Sequence, residues 1–78
     1  MAREKITRRL GHAVRRRRVR AGLSQEALAD AAGVHPTYVS LLERGLRDPR
    51  LTSIQKVATA LGVSAATIVR EAEVGSGV

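Results

Sequence analysis

The sequence predicts an all-α fold, a compact bundle of five short helices. Apolar residues recur at helical spacing, near 100° per residue, in five successive segments. Gly22, Gly33, Gly45 and Gly62 each follow an apolar-periodic stretch, where a helix ends in the left-handed conformation that glycine tolerates. No run alternates as a half-buried strand would. A chain of 78 residues buries only roughly 60% of its unfolded surface, so there is one thin core and no room for a cofactor-and-substrate cleft.

The helices are expected near residues 4–20, 25–32, 36–43, 52–61 and 65–72. In the first, Ile6, Leu10, Ala13, Val14 and Ala21 share the face turned to the core. The second begins after Ser24, a good N-cap, and offers Leu28 and Ala31, with Leu23 and Val34 at its flanks. Pro36 opens the third, where its missing N–H costs nothing, and Val39 and Leu42 face inward. The fourth carries Leu51, Ile54, Val57, Ala58 and Leu61, with Thr52 and Gln55 at capping-box spacing. Ser64 caps the fifth, whose apolar residues are Ala65, Ile68, Val69 and Ala72. Residues 1–72 are read as the domain and 73–78 as a flexible tail.

Charge points to a partner. The net charge is +7, and its distribution is lopsided. Residues 1–22 hold nine basic residues against one acid, +8, whereas residues 23–78 hold five against six, −1. Such asymmetry favours a polyanion, nucleic acid or an anionic membrane. No apolar run reaches a membrane span's roughly 18 residues and no signal peptide is evident, so a cytoplasmic protein without a membrane role is expected. The absence of cysteine excludes a disulfide staple, a thiolate zinc site and a cysteine nucleophile. The single aromatic, Tyr38, argues against base-stacking recognition of single strands.

Within Gln25–Arg44 two helical patterns flank a three-residue turn, Gly33-Val34-His35. A tight glycine turn of this kind sets two helices roughly perpendicular, as in a helix-turn-helix. Ala29 is small where the second helix must cross it, and Val39 and Leu42 pin that helix to the core. On its other face stand Thr37, Ser40, Leu41 and Arg44, at i, i+3, i+4 and i+7. A helix lying in the major groove needs such a face of short polar and basic side chains. Thr37 and Ser40 suit base edges or phosphates, Leu41 a thymine methyl, and Arg44 a guanine or a phosphate.

The run GLSQEALADAAGVHPTYVSLLERG, Gly22–Gly45, followed by Pro49, Leu51, Ile54, Val57-Ala58 and Leu61-Gly62-Val63-Ser64, resembles the Cro and phage-repressor (XRE) family of helix-turn-helix proteins. The similarity extends from about Leu10 to Val69. Among small members it is most similar to the controller proteins of restriction–modification systems. The resemblance implies the phage-repressor bundle and base contacts from the start of the recognition helix, at His35 and Pro36. Pro36 departs from the polar or basic residue common at that place and has no donor to offer. Gln25 is expected on a phosphate, and Arg47 at a position that contacts DNA in controller proteins. Arg50, in the same loop, is expected to run along the backbone. Tyr38 either donates its hydroxyl to a phosphate or packs. Arg18 matches the arginine that pairs with the glutamate of the Glu-Arg-Gly turn, here Glu43.

The remaining arginines divide by helical phase. Arg15 and Arg16 point outward, suited to attracting phosphate, while Arg17 points toward the apolar face, where its stem packs and its charge snorkels. Val19 lies almost opposite the core, which only a partner or ligand contact would explain. His12 and His35 lack companions at metal-ligand spacing, and no nucleophile is set beside a base, so neither metal, cofactor nor enzymatic activity is expected. The sequence therefore points to a homodimeric, sequence-specific regulator of double-stranded DNA that acts on inverted repeats, with Ile68 and Val69 as the dimer face. Two rival expectations remain: an antitoxin that binds a toxin partner as well as its operator, and an RNA-binding basic helix built on Arg15–Arg20.

Overall fold

A computed structural model of the protein describes residues 5–74. Five helices follow in order: α1 (Ile6–Arg20), α2 (Gln25–Ala32), α3 (Pro36–Glu43), α4 (Leu51–Ala60) and α5 (Ala65–Val74). There is no strand among the described residues. α1 packs on α3 and α5, α2 on α3 and α4, and α4 on α5. The two helices around the central turn, α2 and α3, are thus held from behind by α4 and α1.

Local chemistry fixes the boundaries. The Ser24 hydroxyl accepts from the Ala27 N–H at 2.9 Å, and the Ser64 hydroxyl from the Thr67 N–H at 3.2 Å, so both serines cap their helices. Gly22, Gly33, Gly45 and Gly62 have φ between 71° and 78°. At Gly33 this left-handed step brings the Val34 N–H to the Ala29 carbonyl at 3.0 Å, which closes α2 before α3 begins. The capping box expected at Thr52 and Gln55 does not form. α4 starts one residue earlier, with the Ile54 N–H on the Arg50 carbonyl at 3.0 Å, which places Thr52 inside the first turn. α5 runs two residues past its expected end. The Arg9 guanidinium donates to the Glu73 carbonyl at 2.6 Å and so ties its last turn to α1. Residues 75–78, most of the expected tail, lie outside the described residues.

Leu10, Ala13, Val14, Leu28, Ala29, Ala32, Val39, Leu42, Ile54, Val57, Ala58, Ile68 and Ala72 form one buried cluster. Its largest fully enclosed side chains are Leu28, Leu42, Ile68, Val14, Val39 and Val57. Each such side chain contributes about 1.5–3 kcal/mol by leaving water. Periodicity misplaced several rim residues. Ile6 and Leu51, in the first turns of α1 and α4, are largely exposed, and so is Ala21. Ala32 replaces Ala31 in the core, because Leu28, Ala29 and Ala32 form the inward stripe of α2. Ile68 has no exposed surface, so it is core and not a dimer face; of that pair only Val69 reaches the surface.

A close crossing sets the position of α3. Gly11, in the middle of α1, is buried against the last turn of α3. A Cβ there would collide with the Leu42 carbonyl oxygen and come within 2.6 Å of the Glu43 oxygen. Glycine costs about 1 kcal/mol relative to alanine inside a helix, and here it permits backbone contact that no other residue allows.

Candidate nucleic-acid interface

The outer side of α3 carries the candidate site. Val39 and Leu42 are fully buried, which turns the opposite face outward. Thr37 and Arg44 are exposed on it, and Ser40 and Leu41 are half-buried along its middle. His35 and Pro36 are exposed at its start. His35 is the N-cap: its Nδ1 accepts from the Thr37 N–H at 3.0 Å. With Nδ1 accepting, the neutral ring carries its proton on Nε2, a donor at the leading end of the helix. Pro36 occupies the first helical position, where an N–H would have no intrahelical acceptor.

Behind the site, one polar node joins three elements. Arg18 Nε donates to Glu43 Oε2 at 2.6 Å and a terminal nitrogen donates to Oε1 at 3.0 Å. Its other terminal nitrogen donates to the Leu23 carbonyl at 2.8 Å. The Gln25 amide donates to Glu43 Oε1 at 3.0 Å. The Glu43 side chain is only 2% exposed and that of Arg18 12%. This node ties the end of α1 and the start of α2 to the end of α3. Hydrogen bonding to Glu43 raises the Arg18 pKa against the opposing effect of burial, so the guanidinium stays charged.

Gln25 therefore differs from expectation: its side-chain amide is turned to Glu43. What α2 offers an outside anion is the Gln25 and Glu26 N–H groups at its start, since the Ser24 hydroxyl already takes that of Ala27. Tyr38 also differs. Its hydroxyl is buried and has no hydrogen-bond partner, so it does not reach a phosphate, and the ring packs against the core. Arg44, Arg47 and Arg50 are exposed from the end of α3 through the following loop.

The basic run of α1 is largely engaged within the molecule. Arg17 does not snorkel. It grips Glu71 on α5, with Nε at 3.0 and 3.1 Å from the two carboxylate oxygens and a terminal nitrogen on Oε2. That hydrogen bonding, opposed by partial burial and aided by the charges of Arg17, Arg16 and Arg20, holds the Glu71 carboxyl below the usual carboxylate range. Arg15 is exposed and Arg16 half-buried. Val19 is 56% exposed among Arg15, Arg16 and Arg20. Sequence reasoning missed Glu71 and Gly11. An isolated glycine inside a helical pattern was the available signal for Gly11; nothing in the sequence singled out Glu71 from the other acids.

Among the described residues no helix is long and apolar enough to cross a membrane. Residues 14–68 match the family model described as helix-turn-helix, HTH_3. The control protein C.BamHI of Bacillus amyloliquefaciens is 44% identical over 54 residues, which cover 68% of this chain and 67% of that protein. The matched stretch spans 39–57% of the other curated relatives, so it corresponds to only part of their length. The crystal structure of the restriction–modification controller protein C.AhdI from Aeromonas hydrophila superposes with a TM-score of 0.78 at 39% identity, over 80% of this chain and 94% of that one. The structure of SinR, a master regulator of biofilm formation, in complex with DNA gives 0.72 at 35% identity, over 76% and 95%.

Proposed function

Because the chain belongs to the helix-turn-helix family, we propose that it is a sequence-specific double-stranded DNA-binding transcriptional regulator of the restriction–modification controller type. The observation that carries this reading is the mounting of α3. Its inner residues are buried and its end is fixed by the Arg18–Glu43–Gln25 node, while Thr37, Ser40, Leu41 and Arg44 remain on the outer face. A rigid helix that presents short polar groups and one guanidinium fits the major groove. The SinR–DNA complex supports the same partner.

In this reading His35, Thr37, Ser40, Leu41 and Arg44 read bases, and Pro36 gives only apolar contact. Arg47 and Arg50, with Arg15 and Arg16 farther back, engage phosphates, and the first turn of α2 adds N–H donors. A single module of this size buries too little surface for operator-level affinity, so the protein acts as a homodimer on an inverted repeat. Val69, with the outer side of α5, belongs to its interface. The site of action is the cytoplasm, where the DNA is.

Selection of bound duplexes from a random pool tests the reading. A recovered inverted repeat, bound by the parent and lost in competition with random duplex by Thr37→Ala and Ser40→Ala, is the expected result. Equal discrimination by parent and variants would remove α3 as the reading helix.

A further inference from the structure

α2 and α3 begin differently. At α2 the Ser24 hydroxyl takes the Ala27 N–H and the Ser24 carbonyl takes that of Leu28, which leaves Gln25 and Glu26 with N–H groups that have no intrahelical acceptor. The first turn of α3 keeps none in reserve. Pro36 has no N–H, Thr37 donates to His35 Nδ1 at 3.0 Å, and Tyr38 and Val39 both donate to the His35 carbonyl, at 2.9 and 3.4 Å. An anion drawn to the start of α3 meets no backbone donor, so this end of the helix binds only through side chains.

His35 supplies a side chain whose polarity is fixed. Thr37 uses the lone pair of Nδ1, so that nitrogen carries no proton and the neutral ring holds its hydrogen on Nε2. The bond that caps the helix thereby selects the tautomer. His35 is exposed, and Nε2 lies across the ring from the capping bond. The hydroxyls of Thr37 and Ser40 rotate, and each can donate or accept. A hydroxyl therefore suits any base edge, whereas the His35 Nε2–H suits only an acceptor. Pro36 brings no polar group that could offset this choice.

We infer that His35 determines sequence preference as a donor of fixed tautomer, and that the base facing it in each half-site is guanine. In the major groove guanine presents two acceptors, O6 and N7, whereas cytosine presents only its N4 amino donor. Adenine sets an amino donor beside its one acceptor and thymine a methyl, so both rank between. The inference rests on the DNA-binding reading above and assigns a partner base to one position of the reading face.

The test repeats selection from a random duplex pool with the parent, His35→Ser and His35→Asp. Serine and aspartate both cap helices well, so thermal unfolding of the variants is expected to match the parent. The recovered sequences should differ from the parent's at one position per half-site, occupied by guanine for the parent. His35→Ser, whose hydroxyl rotates, should lose the guanine preference. His35→Asp, which only accepts, should lose it and shift toward cytosine, whose N4 amino group donates to a carboxylate. In competition, guanine-to-cytosine exchange in one half-site should weaken the parent by roughly 5- to 150-fold, and His35→Ser far less. A parent that selects a repeat whose guanine preference survives in both variants overturns the role of His35 alone. So does a uniform loss of affinity across all duplexes, which would mark a phosphate contact. A parent that selects no duplex overturns the DNA reading and this inference with it.

Discussion

Arg17 and Arg18 are neighbours in sequence and make the same kind of bond in opposite settings. Arg18 reaches Glu43 on α3, with side chains 12% and 2% exposed. Arg17 reaches Glu71 on α5, with side chains 24% and 30% exposed. Geometry alone would rank them equally, since both are forked contacts to a carboxylate. Burial separates them. Water and salt screen the α5 pair, so its contribution falls in the range of about 0–1 kcal/mol typical of surface pairs. Truncating the α3 pair strands a charge in the interior, at a cost of about 3–5 kcal/mol. Consecutive arginines in a basic run thus do different work: one fixes the candidate reading helix, the other steadies the helix on the far side of α1.

The largest expected effect is that of Arg18→Ala. It removes three donors at once, leaving Glu43 with only the Gln25 amide and the Leu23 carbonyl without its guanidinium. A loss of about 3–5 kcal/mol is a large part of the roughly 5–15 kcal/mol that domains possess. Urea denaturation should show the variant largely unfolded or close to it. A midpoint near that of the parent would mean that water reaches Glu43 and that the contrast with Arg17 is false.

Gly11→Ala comes next and tests what brings Arg18 within reach of Glu43. The added methyl meets backbone, the Leu42 and Glu43 carbonyls, which cannot move aside as a side-chain tip can. Overpacking of this kind costs about 1–3 kcal/mol, from which alanine's better helix propensity returns only about 1 kcal/mol. A lower unfolding midpoint is expected, together with weaker coupling between Arg18 and Glu43 in a double-mutant cycle. A stabilised variant would show that α1 and α3 do not cross in contact.

Much of this was legible in the chain, and what was not has a common cause. Apolar period, glycine stops and serine caps located five helices, and the Gly33 turn located the helix-turn-helix. Resemblance supplied the Arg18–Glu43 pair. Periodicity reports which way a side chain faces but not what it meets there. It turned Arg17 toward the apolar face without revealing Glu71, and it grouped Ile68 with Val69 although the first is enclosed and the second is not. Gln25 and Tyr38 follow the same rule. Glu43 directs the Gln25 amide, and the Tyr38 hydroxyl is buried without a hydrogen-bond partner.

The smallest effect is expected at the less buried pair, and its size depends on pH. Arg17→Ala should cost no more than about 1 kcal/mol in low salt and less as salt is added. Hydrogen bonding to Arg17 is the main cause of the lowered Glu71 pKa, so the folded carboxylate holds its charge at pH values where the unfolded one takes up a proton. The stability this gives is complete above the unfolded pKa and disappears as pH falls through the depressed folded value. Thermal unfolding of the parent and of Glu71→Gln should therefore differ slightly at neutral pH and converge in acid. Arg18 and Glu43 give the contrasting control, because their loss cannot be screened by salt. If salt closed the gap between parent and Arg18→Ala as readily as it closes the gap for Arg17→Ala, burial would not be what distinguishes the two arginines.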